Sequence, residues 1–104
     1  MIYFITYDIN TNVKSYEAFY NAIKMIGESY RQPMENAWFV STSDERTTAN
    51  GIVSNLRHYI RQQDHLYVCR VDTASDFQGW LSGDFWNWYK DNLKNDKNTT
   101  TSPV

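Results

Sequence analysis

The chain has 104 residues, of which 41% are hydrophobic and 16% aromatic. A chain of this size is predicted to form one domain that buries roughly two-thirds of the surface of its unfolded state. The formal net charge of −2 at pH 7 argues against a strongly basic nucleic-acid-binding protein, because such proteins bind mainly by neutralising phosphates. A local basic patch remains compatible with this charge balance.

The sequence contains no apolar run that approaches the ~20 residues of a membrane span, and no signal-peptide pattern. Its single cysteine, Cys69, cannot form an intrachain disulfide. Cys69 lies in an apolar strand pattern, which is typical of a small buried hydrophobic residue. These observations predict a cytoplasmic protein with no membrane segment.

The first predicted strand covers residues 2–9 and carries large apolar groups on both faces, as in a central strand that is covered on both sides. Asp8 is an exception to this apolar pattern, because it places a carboxylate at the end of one face. A carboxylate there has two open roles: it can accept hydrogen bonds from amides of the following turn, or it can bind Mg²⁺ or Mn²⁺. A symmetric dimer would bring two Asp8 side chains toward one axis and so double the ligand set.

The middle of the chain alternates helical and strand patterns. A helix is predicted from an N-cap at Ser15 to a stop at Gly27, because large apolar residues recur at spacings of three and four. Ser29–Met34 is predicted as an edge-like strand, since Pro33 does not fit a central one. Residues 37–42 and 65–71 are predicted strands. Between them, Thr47 or Thr48 caps a second helix whose apolar stripe comprises Ile52, Val53, Leu56, Tyr59 and Ile60.

This β-α-β-β-α-β order predicts an α+β, ferredoxin-like fold: an antiparallel four-stranded sheet with two helices on one face. A short aromatic-rich helix, capped by Asp84, is predicted after it and ends near Leu93. Residues 1–94 therefore form the predicted domain, and the polar residues 95–104 form a tail with too little apolar surface to fold.

The second sheet face needs a cover, because the strands carry apolar residues on both faces. The aromatic C-terminal segment, a second copy of the chain and nucleic-acid bases are the three candidates. Trp86, Tyr89 and Leu93 of the predicted C-terminal helix are at helical spacing, which is more typical of packing than of base stacking. A homodimer formed through sheet faces or edges is the favoured interpretation.

A basic patch is the second candidate site. Arg57 and Arg61 are at i,i+4 on the predicted second helix, so both would share one face, with His58 beside them. These three residues are predicted as weak contacts to the phosphates of RNA or DNA, with a solvated helix face as the alternative. His65, at the entry of the last strand, is interpreted as structural.

Four short motifs, in this order, resemble a known group of proteins. The chain has Tyr7-Asp8-Ile9-Asn10, Trp38-Phe39-Val40-Ser41-Thr42, Gly79-Trp80-Leu81 and Trp86-Asn87-Trp88. Over about residues 1–93 it resembles the ferredoxin-like small adaptation subunit of CRISPR systems, and within that superfamily the SinR-like group. The VapD-type ribonuclease toxins are a further relative with a similar fold.

The resemblance implies a homodimer, and for some members a metal-dependent nuclease in which the Asp at the end of the first strand binds the metal. By position that residue is Asp8. Three hypotheses follow: a nuclease that acts on RNA or DNA with Mg²⁺ between two Asp8 side chains, a non-catalytic nucleic-acid-binding or protein-interaction module, and a toxin-like ribonuclease. The sequence leaves open whether the protein is an enzyme.

Overall fold

The computed structural model of the protein describes residues 1–10 and 16–94. The elements in chain order are β1 (Ile2–Asp8), α1 (Glu17–Lys24), β2 (Ser29–Met34), β3 (Ala37–Ser41), α2 (Ala49–Leu56), a 3₁₀ helix (Arg57–Tyr59), β4 (His65–Arg70) and α3 (Gly83–Lys94). The strands form one antiparallel sheet in the order β2-β3-β1-β4. The predicted α+β class is confirmed, and the arrangement is consistent with a ferredoxin-like fold.

The first face of the sheet is covered by α1 and α2. Because side chains alternate along a strand, β1 directs every second residue into this core. The buried residues on this side are Tyr3, Ile5, Tyr7, Trp38 and Val40 from the sheet, with Phe19, Ile23, Ile52 and Leu56 from the helices. Each fully buried large apolar side chain contributes about 1.5–3 kcal/mol, so this core fixes the sheet that carries the candidate site.

The second face is covered in part by α3. Ile2 of β1 forms a separate core cluster with Phe85, Trp88 and Tyr89. The rings of Phe39 on β3 and Phe85 are 4.9 Å apart, and the Trp88 indole N–H donates to the Ser29 hydroxyl at 2.6 Å. The aromatic C-terminal segment is therefore a cover for the second face, over the half that contains Ile2.

Two helix boundaries differ from the prediction. The α1 helix ends at Lys24, and Gly27 does not adopt the left-handed conformation of a helix stop. A Cβ at Gly27 would lie 2.1 Å from the carbonyl oxygen of Ser41, so this glycine is required by close backbone approach. The N–H of the next residue, Glu28, donates to that same carbonyl at 3.0 Å. The predicted N-cap, Ser15, lies outside the described residues.

Hydrogen bonds identify the residues that cap α2 and α3. The Thr48 hydroxyl accepts from the Gly51 N–H at 3.0 Å, which confirms one of the two residues proposed to cap α2. At α3 the Ser82 hydroxyl accepts from the Phe85 N–H at 3.2 Å, so Ser82 is the cap, whereas Asp84 lies in the first turn. The local pattern placed the start of α3 correctly to within two residues.

The edge prediction for β2 is confirmed. Among the strands that the structure describes, β2 pairs with β3 alone, and the register shifts between Arg31 and Met34, around Pro33. Among the described helices, none is long and apolar enough to cross a membrane. The predicted polar tail, residues 95–104, lies outside the described part of the chain.

Candidate functional site

Asp8 is the last residue of β1, and its side chain is exposed. Its carboxylate accepts no hydrogen bond from the residues that the structure describes. The turn-capping role that the sequence left open is therefore not seen there, while Thr11 and Asn12 lie outside the described residues. The carboxylate is consequently available to a cation, a proton or a ligand.

His65 is the immediate neighbour of Asp8. In the antiparallel pairing of β1 with β4, Asp8 is directly opposite His65. Residues in such a pair lie on the same face with Cβ atoms about 4.5–5.5 Å apart. His65 was interpreted from the sequence as structural, and the predicted fold did not state which strand pairs with the first one. The β1–β4 pairing is the signal that could have identified His65 as a second candidate group.

The open half-face, defined here as Thr6, Asp8, His65 and Tyr67, is the part of the second face that α3 does not cover. Thr6 is paired with Tyr67, one row before Asp8 and His65. The Tyr67 side chain is 61% exposed, whereas Phe85 in the covered half is 2% exposed. A large aromatic residue is thus held on a regular strand without burial, beside a carboxylate and an imidazole.

Two grooves meet at His65. The first groove is lined by Asp8, Ile9, Asn10, Arg61, Gln63, Asp64 and His65. The second groove is lined by Val53, Arg57, Ile60, Arg61, Gln62, Asp64, His65 and Leu66. Because Arg61 and His65 line both grooves, the acid predicted at one end of the chain and the arginines predicted near its middle lie at one end of the sheet.

The predicted arrangement of the arginines is wrong in one respect. The α2 helix ends at Leu56 and continues only as a 3₁₀ helix to Tyr59, so Arg57 and Arg61 do not share one face of an α-helix. For the same reason Tyr59 does not belong to the buried stripe and is exposed. The two arginines converge instead through the second groove. His58 is exposed and lines neither groove.

Arg61 is held by a buried ion pair. Its guanidinium lies 3.3 Å from the Asp64 carboxylate, whose side chain is 3% exposed. The Tyr16 hydroxyl and the Arg61 backbone N–H also donate to Asp64, at 2.7 and 2.8 Å. Burial alone would raise the pKa of Asp64, but these hydrogen bonds and the adjacent guanidinium outweigh it and lower the pKa to about 2. Arg61 is therefore fixed in place, with much of its charge balanced.

A metal ion would find few ligands in one subunit. The described residues contain no group of three or more His, Cys, Asp or Glu side chains that could hold a metal ion. Asp8 and His65 provide two candidate ligands, and Glu35 lines a third depression on the other side of Asp8. A cation at Asp8 would therefore need ligands from water, from substrate phosphates or from a second copy of the chain.

Comparison of the chain with family models, with characterised proteins and with solved structures yields no match. The resemblance to the CRISPR adaptation subunit and its SinR-like relatives therefore gains no support from these comparisons and stays a hypothesis.

Proposed function

We propose that this protein has a ferredoxin-like fold and acts as a homodimeric, metal-dependent nuclease with Asp8 as its metal ligand. The observation that carries the proposal is the convergence of Asp8, His65, Arg61 and Arg57 at one end of the sheet. A carboxylate, an imidazole and two guanidinium groups are together the chemical groups that phosphodiester cleavage uses.

Mg²⁺ or Mn²⁺ suits the small number of ligands at Asp8. Mg²⁺ commonly keeps several water ligands and is bound by one or two carboxylates together with substrate phosphates. The exposed Asp8 carboxylate has no hydrogen-bond partner to displace among the described residues, so it is ready to bind a cation. A divalent ion there would supply stabilisation of the charge that develops on the phosphoryl oxygens.

The other side chains act on the substrate. Hydrolysis forms a bond from a water oxygen to phosphorus, with release of a water proton to solvent, and breaks the bond from phosphorus to the departing sugar oxygen, which takes up a proton. His65 is the group that donates this proton, because it lies directly opposite Asp8 in the β1–β4 pairing. The exposed Arg57 binds a neighbouring phosphate along the second groove, and the fixed Arg61 orients that phosphate.

The test is cleavage of labelled single-stranded RNA and DNA by the purified full chain, with Mg²⁺, with Mn²⁺ and with EDTA. We expect cleavage only with the metals, and a loss of at least about 100-fold for Asp8→Ala, the size of effect expected for a group that stabilises the transition state. Asp76→Ala is the matched control, since Asp76 is an exposed carboxylate that lines none of the three depressions.

His65→Ala separates proton transfer from metal binding. Loss of the imidazole should lower the rate by about 10²–10⁴-fold, with an unchanged metal concentration at half-maximal rate. Equal cleavage by the wild type and Asp8→Ala would refute the metal site. Cleavage of RNA but not DNA would restrict the substrate to RNA, and RNA cleavage that is unchanged in EDTA and in Asp8→Ala would favour the toxin-like ribonuclease.

A non-catalytic nucleic-acid-binding module is the second candidate function, and the exposure of Tyr67 favours it. An aromatic side chain on a sheet surface can stack on an unpaired base, and such stacking contributes about 1–3 kcal/mol per base. Fluorescence anisotropy with single-stranded oligonucleotides would then show binding without cleavage. Tyr67→Ala should weaken that binding by about 5- to 150-fold, whereas Asp8→Ala should not weaken it.

A further inference from the structure

The two edges of the sheet differ in how they are protected. β2, at one edge, contains Pro33, a register shift between Arg31 and Met34, and the charged Arg31. Proline, irregular pairing and charge are the features by which natural sheets block pairing with another chain. The β2 edge is therefore closed to a further strand.

β4, at the other edge, contains no proline and no register shift, and its one arginine, Arg70, is its last residue. Its sequence, His-Leu-Tyr-Val-Cys-Arg, pairs with β1 in an unbroken register from His65 to Arg70. No strand in the described part of the chain pairs with its outer side. A regular, largely apolar edge of this kind is expected to have a partner strand.

The backbone groups available on this edge follow from the β1 pairing. The Val71 N–H donates to the Ile2 carbonyl at 2.9 Å, so Val71 points its backbone groups toward β1. Because this direction alternates along a strand, Leu66 and Val68 point theirs away from β1. Neither residue has a backbone hydrogen bond on that side within the described residues. These two residues are the ones that would bind an added strand.

We propose that a second copy of the chain occupies this edge, with β4 antiparallel to β4 about a two-fold axis at Tyr67. In this register Leu66 of each copy is opposite Val68 of the other, so that the two outward-pointing residues exchange backbone hydrogen bonds. Tyr67 is opposite Tyr67 on the same face, as an aromatic cross-strand pair.

The charges at the two ends of β4 are compatible with a copy of itself as the partner. β4 begins beside Asp64, which is paired with Arg61, and ends at Arg70, which is paired with Asp72. Antiparallel pairing about Tyr67 places the Arg70 end of one copy beside the Asp64 end of the other, and no like charges are opposite. The isologous pairing is closed, because each copy uses its one unprotected edge while the β2 edge stays blocked.

This inference rests on the proposed homodimer and specifies how its active sites are arranged. The two Asp8 residues would be separated by three strand spacings, or at least about 14 Å across the strands. That distance is too great for one ion to bind both carboxylates. Each subunit would therefore hold its own ion, and the two open half-faces would form one continuous surface.

The test is the oligomeric state of the full chain by light scattering, for the wild type, Val68→Pro and Val68→Ala. Proline at position 68 removes an outward N–H that makes no bond to β1, so it should block dimerisation with the β1 pairing intact. Val68→Ala keeps the N–H and loses packing. We expect dimers for the wild type and Val68→Ala, and a monomer for Val68→Pro.

Disulfide formation tests the register even if Val68→Pro does not fold. In a Cys69→Ser background, Tyr67→Cys should cross-link two copies on mild oxidation, because Cα atoms of such a pair are about 4.5 Å apart. Tyr59→Cys, which replaces an exposed tyrosine outside β4, should not.

A wild-type monomer at high micromolar concentration would overturn both this inference and the homodimer. A dimer that tolerates Val68→Pro or fails to cross-link at position 67 would overturn this inference alone. The cleavage assay with Asp8→Ala is independent of either outcome, because each subunit carries a complete set of the proposed catalytic groups.

Discussion

The two halves of the second sheet face have opposite characters although they share the same strands. In the covered half, Ile2 and Phe39 pack against the aromatic side chains of α3. In the open half-face, one or two rows further along β1, Asp8, His65 and Tyr67 are exposed. Burial of apolar side chains in the covered half stabilises the folded state, whereas the open half-face keeps polar and aromatic groups in contact with water.

The difference shows where selection for stability and selection for chemistry would act. A change in the covered half leaves a cavity among closely packed rings. A change of Asp8 in the open half-face removes a group that no described residue contacts by a hydrogen bond. Substitutions in the two halves should therefore have separable effects, and the following predictions test this in order of decreasing size.

Phe85→Ala should destabilise the protein by about 3–5 kcal/mol, because Phe85 is almost completely buried under α3. The free energy of unfolding in urea measures this change. Trp80→Ala is the control, since Trp80 is an aromatic residue of the same segment that is fully exposed, and it should change stability by less than about 0.5 kcal/mol. Equal losses for the two variants would show that α3 does not stabilise the sheet by packing.

Asp64→Asn should change how stability depends on pH. The pKa of Asp64 in the folded protein is about 2, below its ordinary value of 3.8. Its contribution is therefore fully present above pH 3.8 and is lost as the pH falls to about 2. Urea unfolding at several pH values in this window should give a steeper loss for the wild type than for Asp64→Asn, and parallel curves would contradict the proposed network.

Asp8→Asn should have the smallest effect, a change in unfolding free energy within about 0.5 kcal/mol at neutral pH. The reason is that the carboxylate is exposed and accepts no hydrogen bond within the described residues. Thermal and urea unfolding of the variant, beside the cleavage assay, would check this. Marked destabilisation would mean that Asp8 has a structural partner outside the described residues, as the turn-capping hypothesis requires.

Much of the fold could be predicted because local patterns fix it. The alternation along β1 predicted its two faces, and Pro33 predicted an edge strand at β2. Gly27 shows the limit of such signals. The position of Gly27 suggested a helix stop. In the structure a glycine is required there because the carbonyl of Ser41 leaves no room for a Cβ, and only the folded chain brings Ser41 close. A sequence pattern can indicate that a glycine is needed at a position, but it does not give the structural reason.

The candidate site shows the same limit. Asp8 could be selected from the sequence because an acid is unusual on an apolar strand. His65 could not be selected from its own surroundings, because its significance comes from the residue opposite in the β1–β4 register. The arginines were chosen because residues at i,i+4 share one face of an α-helix, but α2 ends before Arg57. They converge because Arg61 is paired with Asp64, which also accepts a hydrogen bond from the Tyr16 hydroxyl.

The distribution of the tryptophans makes the two cores distinguishable by spectroscopy. Trp38 is buried in the core beneath α1 and α2, where its indole N–H donates to the Tyr7 hydroxyl at 2.9 Å. Trp88 is buried in the other core, and Trp80 is in water. Variants that retain only Trp38 or only Trp88 would report on each layer separately. Unfolding curves from these two emissions would show whether the two sides of the sheet lose their structure in one transition or in two.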